Sequence, residues 1–83
     1  MPPRKPPVLS GRALVKALES LGYQQVSQRG SHVKLKRRYH EGEHTLVVPL
    51  HKELDKGTLG SIINRLKKYI PEETILEALQ RHK

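Results

Sequence analysis

Residues 30–39, Gly30-Ser31-His32-Val33-Lys34-Leu35-Lys36-Arg37-Arg38-Tyr39, open on a turn dipeptide and then alternate, with Val33 and Leu35 set among His32, Lys34 and Lys36. A period of two belongs to a strand with one face buried and the other in water. If Val33 and Leu35 face a core, then His32, Lys34, Lys36 and Arg38 line the opposite face, an imidazole at the head of a row of cations. The inference rests on register, because a slip of one residue exchanges the two faces.

Working outward, the period changes to two from Tyr23, and Tyr23 to Arg29, with Gln, Ser and Val in place of helix formers, reads as an alternating strand, joined to the next by the tight turn at Gly30-Ser31. The second strand ends near Tyr39, Glu41-Gly42-Glu43 is a turn signal, and Thr45 to Pro49 reads as a third strand. Pro49 cannot donate to a ladder, which suits a strand end or an edge. Upstream, Ser10 caps a helix over roughly Gly11 to Leu21, in which Ala13, Leu14, Ala17, Leu18 and Leu21 recur at helical spacing before the stop residue Gly22. Downstream, Leu50 to Leu54 is a loop, and Asp55 caps a helix with Leu59, Ile62, Ile63 and Leu66 at i, i+3, i+4 and i+7. Pro71-Glu72-Glu73 starts another helix, with Ile75, Leu76 and Leu79 as its apolar stripe. The expected fold is α+β: helix, three-stranded antiparallel sheet, helix, and an appended C-terminal helix. Residues 1–9, which hold four of the six prolines, read as a Pro-rich tail, and residues 10–83 as a single domain.

Eighty-three residues suffice for one small domain and exclude a two-domain enzyme with its own cofactor fold, so no cofactor is expected. Aliphatic residues must build the core, since the chain has no Cys, Phe or Trp. The lack of cysteine also removes disulfides and thiolate chemistry, leaving His, Asp and Glu for catalysis. Sixteen Lys and Arg against eight Asp and Glu give a net charge of +8, a footprint that attracts polyanions, nucleic acid first among them. No apolar run approaches the roughly 20 residues of a spanning helix, and no signal-like stretch follows the N-terminus. The expectation is a soluble, cytoplasmic chain with no membrane partner.

His32 is the principal candidate for chemistry, because an imidazole takes or gives a proton near neutral pH and phosphodiester cleavage requires both transfers. Attack of an RNA 2′-hydroxyl also needs cations for the charge that builds at phosphorus, and Lys34, Lys36 and Arg29 stand close in sequence. From spacing alone, a solvated strand histidine is the commoner outcome. From Arg29 to His40 there are five cations and no acid, Arg37 and Arg38 included, and this run is read as phosphate-contacting. His51, in the loop after the third strand, is a second candidate imidazole, with a packing role as the alternative. His40 and His44 flank Glu41-Gly42-Glu43, but hairpin-tip polar residues are ordinarily solvated and no further ligand set is visible, so no metal site is expected. Arg65, Lys67 and Lys68 also complement the C-terminal dipole of their helix, and Gly57-Thr58 at a helix start offers backbone amides to a phosphate.

Gly30-Ser31-His32 at the head of a basic strand, Val48-Pro49-Leu50-His51 after the third, and Lys56-Gly57-Thr58-Leu59 with Ile62 at the next helix together resemble the HicA family of toxin RNases. Leu21-Gly22-Tyr23 matches the family's helix-to-strand junction, and the resemblance runs from about Ser10 to Tyr69. It implies a fold similar to a double-stranded-RNA-binding domain and an endoribonuclease that cleaves mRNA, inhibits translation and is neutralised by a HicB-type antitoxin; with no ligand cluster evident, the reaction is expected to be metal-independent. It also implies that His32 is the catalytic histidine; beside it, Arg29, Ser31, Lys34, Lys36, Arg38 and His51 are the expected RNA-binding set. Two rival classes remain: a non-catalytic RNA-binding module and an interaction protein whose basic face docks an acidic partner.

Overall fold

A computed structural model of the chain describes residues 5–83; the first four residues of the proline-rich segment lie outside the described part. Helix α1 spans Gly11–Ser20, strands β1, β2 and β3 span Gln24–Arg29, His32–Tyr39 and Gly42–Pro49, and helices α2 and α3 span Lys56–Leu66 and Glu72–His82. The sheet is antiparallel in the order β1-β2-β3, so β2 is central. This is the α+β arrangement expected from the periodicities, with the helices on one side of an open three-stranded sheet.

Local chemistry sets the boundaries. Ser10 accepts the Ala13 N–H at 3.1 Å, and α1 stops where Gly22 takes a φ of +95° and the Tyr23 N–H turns back to the Leu18 carbonyl at 3.0 Å. Asp55 caps α2, its carboxylate accepting both the N–H and the hydroxyl of Thr58, at 3.1 and 2.7 Å. Gly30 provides the left-handed φ that the first position of a two-residue hairpin loop requires.

One cluster joins Leu14 and Leu18 of α1, Val33 and Leu35 of β2, Leu46 and Val48 of β3, Leu59, Ile62 and Leu66 of α2, and Ile75 and Leu79 of α3. The alternation in β2 therefore has the expected register, with Val33 and Leu35 buried and His32 and Lys34 exposed. Helix α3 packs more extensively on α1 than on α2, and its Ile75, Ala78 and Leu79 are core residues. Leu9, placed in the tail by its composition, is buried as well, and its carbonyl accepts the Leu54 N–H at 2.7 Å.

Three local expectations are corrected. Strand β1 has no buried face: a bulge between Gln25 and Ser27 disrupts its alternation, and the apolar anchor of the segment is Tyr23, just before the strand. Strand β3 starts at Gly42 rather than Thr45, because Tyr39 pairs with Gly42 and leaves only His40-Glu41 as the connection. His44 is consequently a strand residue on the same face as Leu46 and Val48, and not part of a solvated tip.

Candidate functional site

The ladder arranges the open face of the sheet in cross-strand rows. Arg29, His32 and Pro49 form the first, Ser27, Lys34 and Val47 the second, and Gln24, Lys36 and Thr45 the third. Arg38 opposite Glu43 makes a fourth at the far end. The central strand thus carries an imidazole and three cations at alternate positions, about 6.8 Å apart by strand rise.

A depression of about 470 Å³ lies over the first two rows, lined by Ser27, Arg29, His32, Lys34 and Val47. Arg29, His32, Lys34 and Arg38 are exposed, and Lys36 is half-buried. Among the described residues, no hydrogen bond or ion pair engages these five side chains; the ion pair present, Lys67 to Glu72 at 3.0 Å, lies elsewhere. Among the described residues, positive charge is therefore concentrated around an accessible imidazole and has no ion-pair partner. Such a surface is suited to a polyanion with a proton-transfer group at one end.

Two of the remaining expected residues enter through the backbone. The Ser31 carbonyl accepts the Leu50 N–H at 2.6 Å, and the His51 carbonyl accepts the Gly11 N–H at 2.9 Å. These bonds tie the segment after β3 both to the β1–β2 turn and to the start of α1. Gly11 is obligatory at this crossing, since a Cβ there would overlap the Pro49 carbonyl oxygen. The exposed His51 side chain is not among the groups lining the depression, so the structure brings its backbone, rather than its imidazole, to the edge of the site.

Other candidates are turned to different work. Arg37 points to the helix side, where it donates to the Leu21 carbonyl at 2.6 Å and lies 4.5 Å from the Tyr39 ring centroid. It closes the end of α1 and does not belong to the phosphate row. His44 belongs to an aromatic cluster, its Nδ1 2.7 Å from the Tyr23 hydroxyl, which is itself 3.0 Å from that of Tyr39; Tyr39 stacks on Tyr69 at 4.3 Å. Burial lowers the His44 pKa, and the nearby charges of Arg65 and Lys68 lower it further. Burial and the bond to Tyr39 push the Tyr23 phenol up. With neutral His44, Tyr23 donates to Nδ1 and accepts from Tyr39. At the start of α2, the Thr58 amide is taken by Asp55, so the chain's own carboxylate fills the place assigned to a phosphate. Among the described residues, no three His, Asp or Glu side chains gather as a ligand set.

Ser27 and Val47 escaped the reading of the sequence, although the signal was present. Val47 is the exposed position between Leu46 and Val48, and period two puts it on the face of Lys34 once the hairpin is aligned. Ser27 lies beyond the bulge, where simple alternation fails.

No characterised protein and no solved structure gives a significant match to the chain. A family model described as the HicA toxin of bacterial toxin–antitoxin systems does match, over residues 11–68, which includes every row of the open face and the crossing at Gly11. The chain belongs to the HicA toxin family and is a toxin of a toxin–antitoxin system, with an antitoxin as its partner.

Proposed function

We propose that this toxin is a metal-independent endoribonuclease that cleaves mRNA and so inhibits translation in the cytoplasm. The observation that carries the reading is the juxtaposition of an exposed His32 with Arg29, Lys34 and a depression on a face whose cations have no partner among the described residues. In the reaction, the 2′-oxygen attacks the adjacent phosphorus and the bond to the 5′-oxygen breaks, leaving a 2′,3′-cyclic phosphate and a 5′-hydroxyl. One proton leaves the 2′-hydroxyl and one is delivered to the departing oxygen, and His32 performs one of these transfers. Arg29 and Lys34 stabilise the charge that grows on the phosphoryl oxygens, while Lys36 and Arg38 hold the neighbouring phosphates. Ser31 sets the start of β2 through its bond from Leu50, and His51 borders the entrance of the RNA.

The antitoxin is of the HicB type and presents acidic groups to Lys34, Lys36 and Arg38, burying His32 in the complex. The cellular test is to induce the wild-type chain and His32→Ala in parallel. Growth arrest with fragmented transcripts is expected for the wild type alone. Equal arrest by both chains, or arrest with intact transcripts, would overturn the proposal.

A further inference from the structure

The two flanks of the open face differ in chemistry. Strand β1 sets Arg29, Ser27 and Gln24 beside His32, Lys34 and Lys36, whereas β3 sets Pro49, Val47 and Thr45 beside the same three. One flank is polar and cationic; the other is neutral and largely apolar. Val47 is 46% exposed between two fully buried neighbours, and it lines the depression together with His32 and Lys34. Val26, the other exposed valine of the sheet, sits at the β1 bulge and does not line it.

A nucleotide is divided in the same way, with a charged phosphate on one side and a flat, largely apolar base on the other. The central cations match the phosphates, and of the groups that line the depression Val47 alone offers a base an apolar surface. We propose that a single RNA strand runs along β2 with its bases turned to β3, where Val47 receives the base next to the scissile phosphate and the Thr45 hydroxyl meets the edge of the following one. Bases must be unstacked and unpaired to lie there, so the substrate is single-stranded. Val47 and Thr45 are then the specificity-determining residues of this face. The inference rests on the ribonuclease reading and adds the placement of the bases.

The test is an affinity measurement in the His32→Ala background, using a short single-stranded RNA, the same strand made abasic at one position at a time, and the same strand paired as a duplex. Removal of one base should weaken binding about three- to tenfold, as expected when a half-exposed valine loses its apolar cover. Val47→Ala should erase that difference while leaving the salt dependence unchanged, and the duplex should bind more weakly than the strand. In the unsubstituted protein, the Val47 methyl resonances should shift with the base-bearing strand and not with the abasic one, a readout independent of any variant's folding. An abasic penalty that survives Val47→Ala, unmoved methyl resonances, or equal duplex affinity would overturn the base placement and leave the ribonuclease reading standing. A wild type that binds none of these RNAs would instead overturn that reading itself.

Discussion

Replacing Gly11 with alanine tests how the fold holds the site together. The added methyl would overlap the Pro49 carbonyl oxygen and lie 2.7 Å from the Leu50 Cα and 2.9 Å from the Pro49 carbonyl carbon. All three obstacles are backbone, so no flexible side chain can yield. Overpacking of this kind costs about 1–3 kcal/mol, and losing the bond from the Gly11 N–H to the His51 carbonyl adds about 1 kcal/mol. Alanine's better helix propensity returns up to about 1 kcal/mol, leaving a net loss of about 1–3 kcal/mol. For a domain of this size, that lowers Tm by roughly 5–20 °C, measurable by circular dichroism. The displacement also passes to the site, because the Leu50 N–H is bonded to the Ser31 carbonyl. The Leu50 amide should therefore lose more hydrogen-exchange protection than the amide of Leu35. A variant as stable as the wild type, with Leu50 still protected, would refute the view that this crossing is a tight backbone contact.

The remaining predictions concern charge. Phosphate contacts by Arg29, Lys34, Lys36 and Arg38 give a slope of log affinity against log salt of about 2.8, and Lys34→Ala with Lys36→Ala should reduce it to about 1.4, whereas changes at Glu72 and Glu73 should not. His44 has a folded-state pKa below its ordinary 6.5, so the unfolded chain binds the extra proton more readily; this contribution to stability is intact above pH 6.5 and is lost as the pH falls below it, levelling off under the folded pKa. Urea midpoints should accordingly fall less between pH 7.5 and pH 5 in His44→Phe than in the wild type. The antitoxin and RNA should compete for the chain, and simultaneous binding of both would exclude a shared face.

The central strand was legible because its two periodicities coincide: Val33 and Leu35 meet a core, and the positions between them carry charge. The starts of the first two helices were legible, with Ser10 and Asp55 found at the caps where their side chains accept backbone N–H groups. What escaped depended on contacts distant in sequence. Tyr23, Tyr39, His44 and Tyr69 come from four segments, and no local pattern announces that they will pack together. Arg37 looked like its neighbour Arg38, yet the pleat sends the two to opposite faces, and only the open carbonyl at Leu21 gives Arg37 its task. Strand β1 misled because a bulge has no compositional signature in a run of Gln and Ser. The role of His32 is of another kind: its placement follows from period two, while its chemistry is inferred from its neighbours and from the family.

The most direct measurement is the rate at which purified His32→Ala cleaves a messenger RNA, taken beside its affinity for the same RNA and with a chelator present. General acid–base catalysis contributes about 10²–10⁴-fold, so the variant should lose cleavage by that factor. Its affinity should stay close to that of the wild type, because Lys and Arg supply the phosphate contacts and an exposed side chain is removed at a folding cost within about 0.5 kcal/mol. Cleavage at the wild-type rate by His32→Ala, or firm binding without cleavage by the wild type itself, would contradict the account.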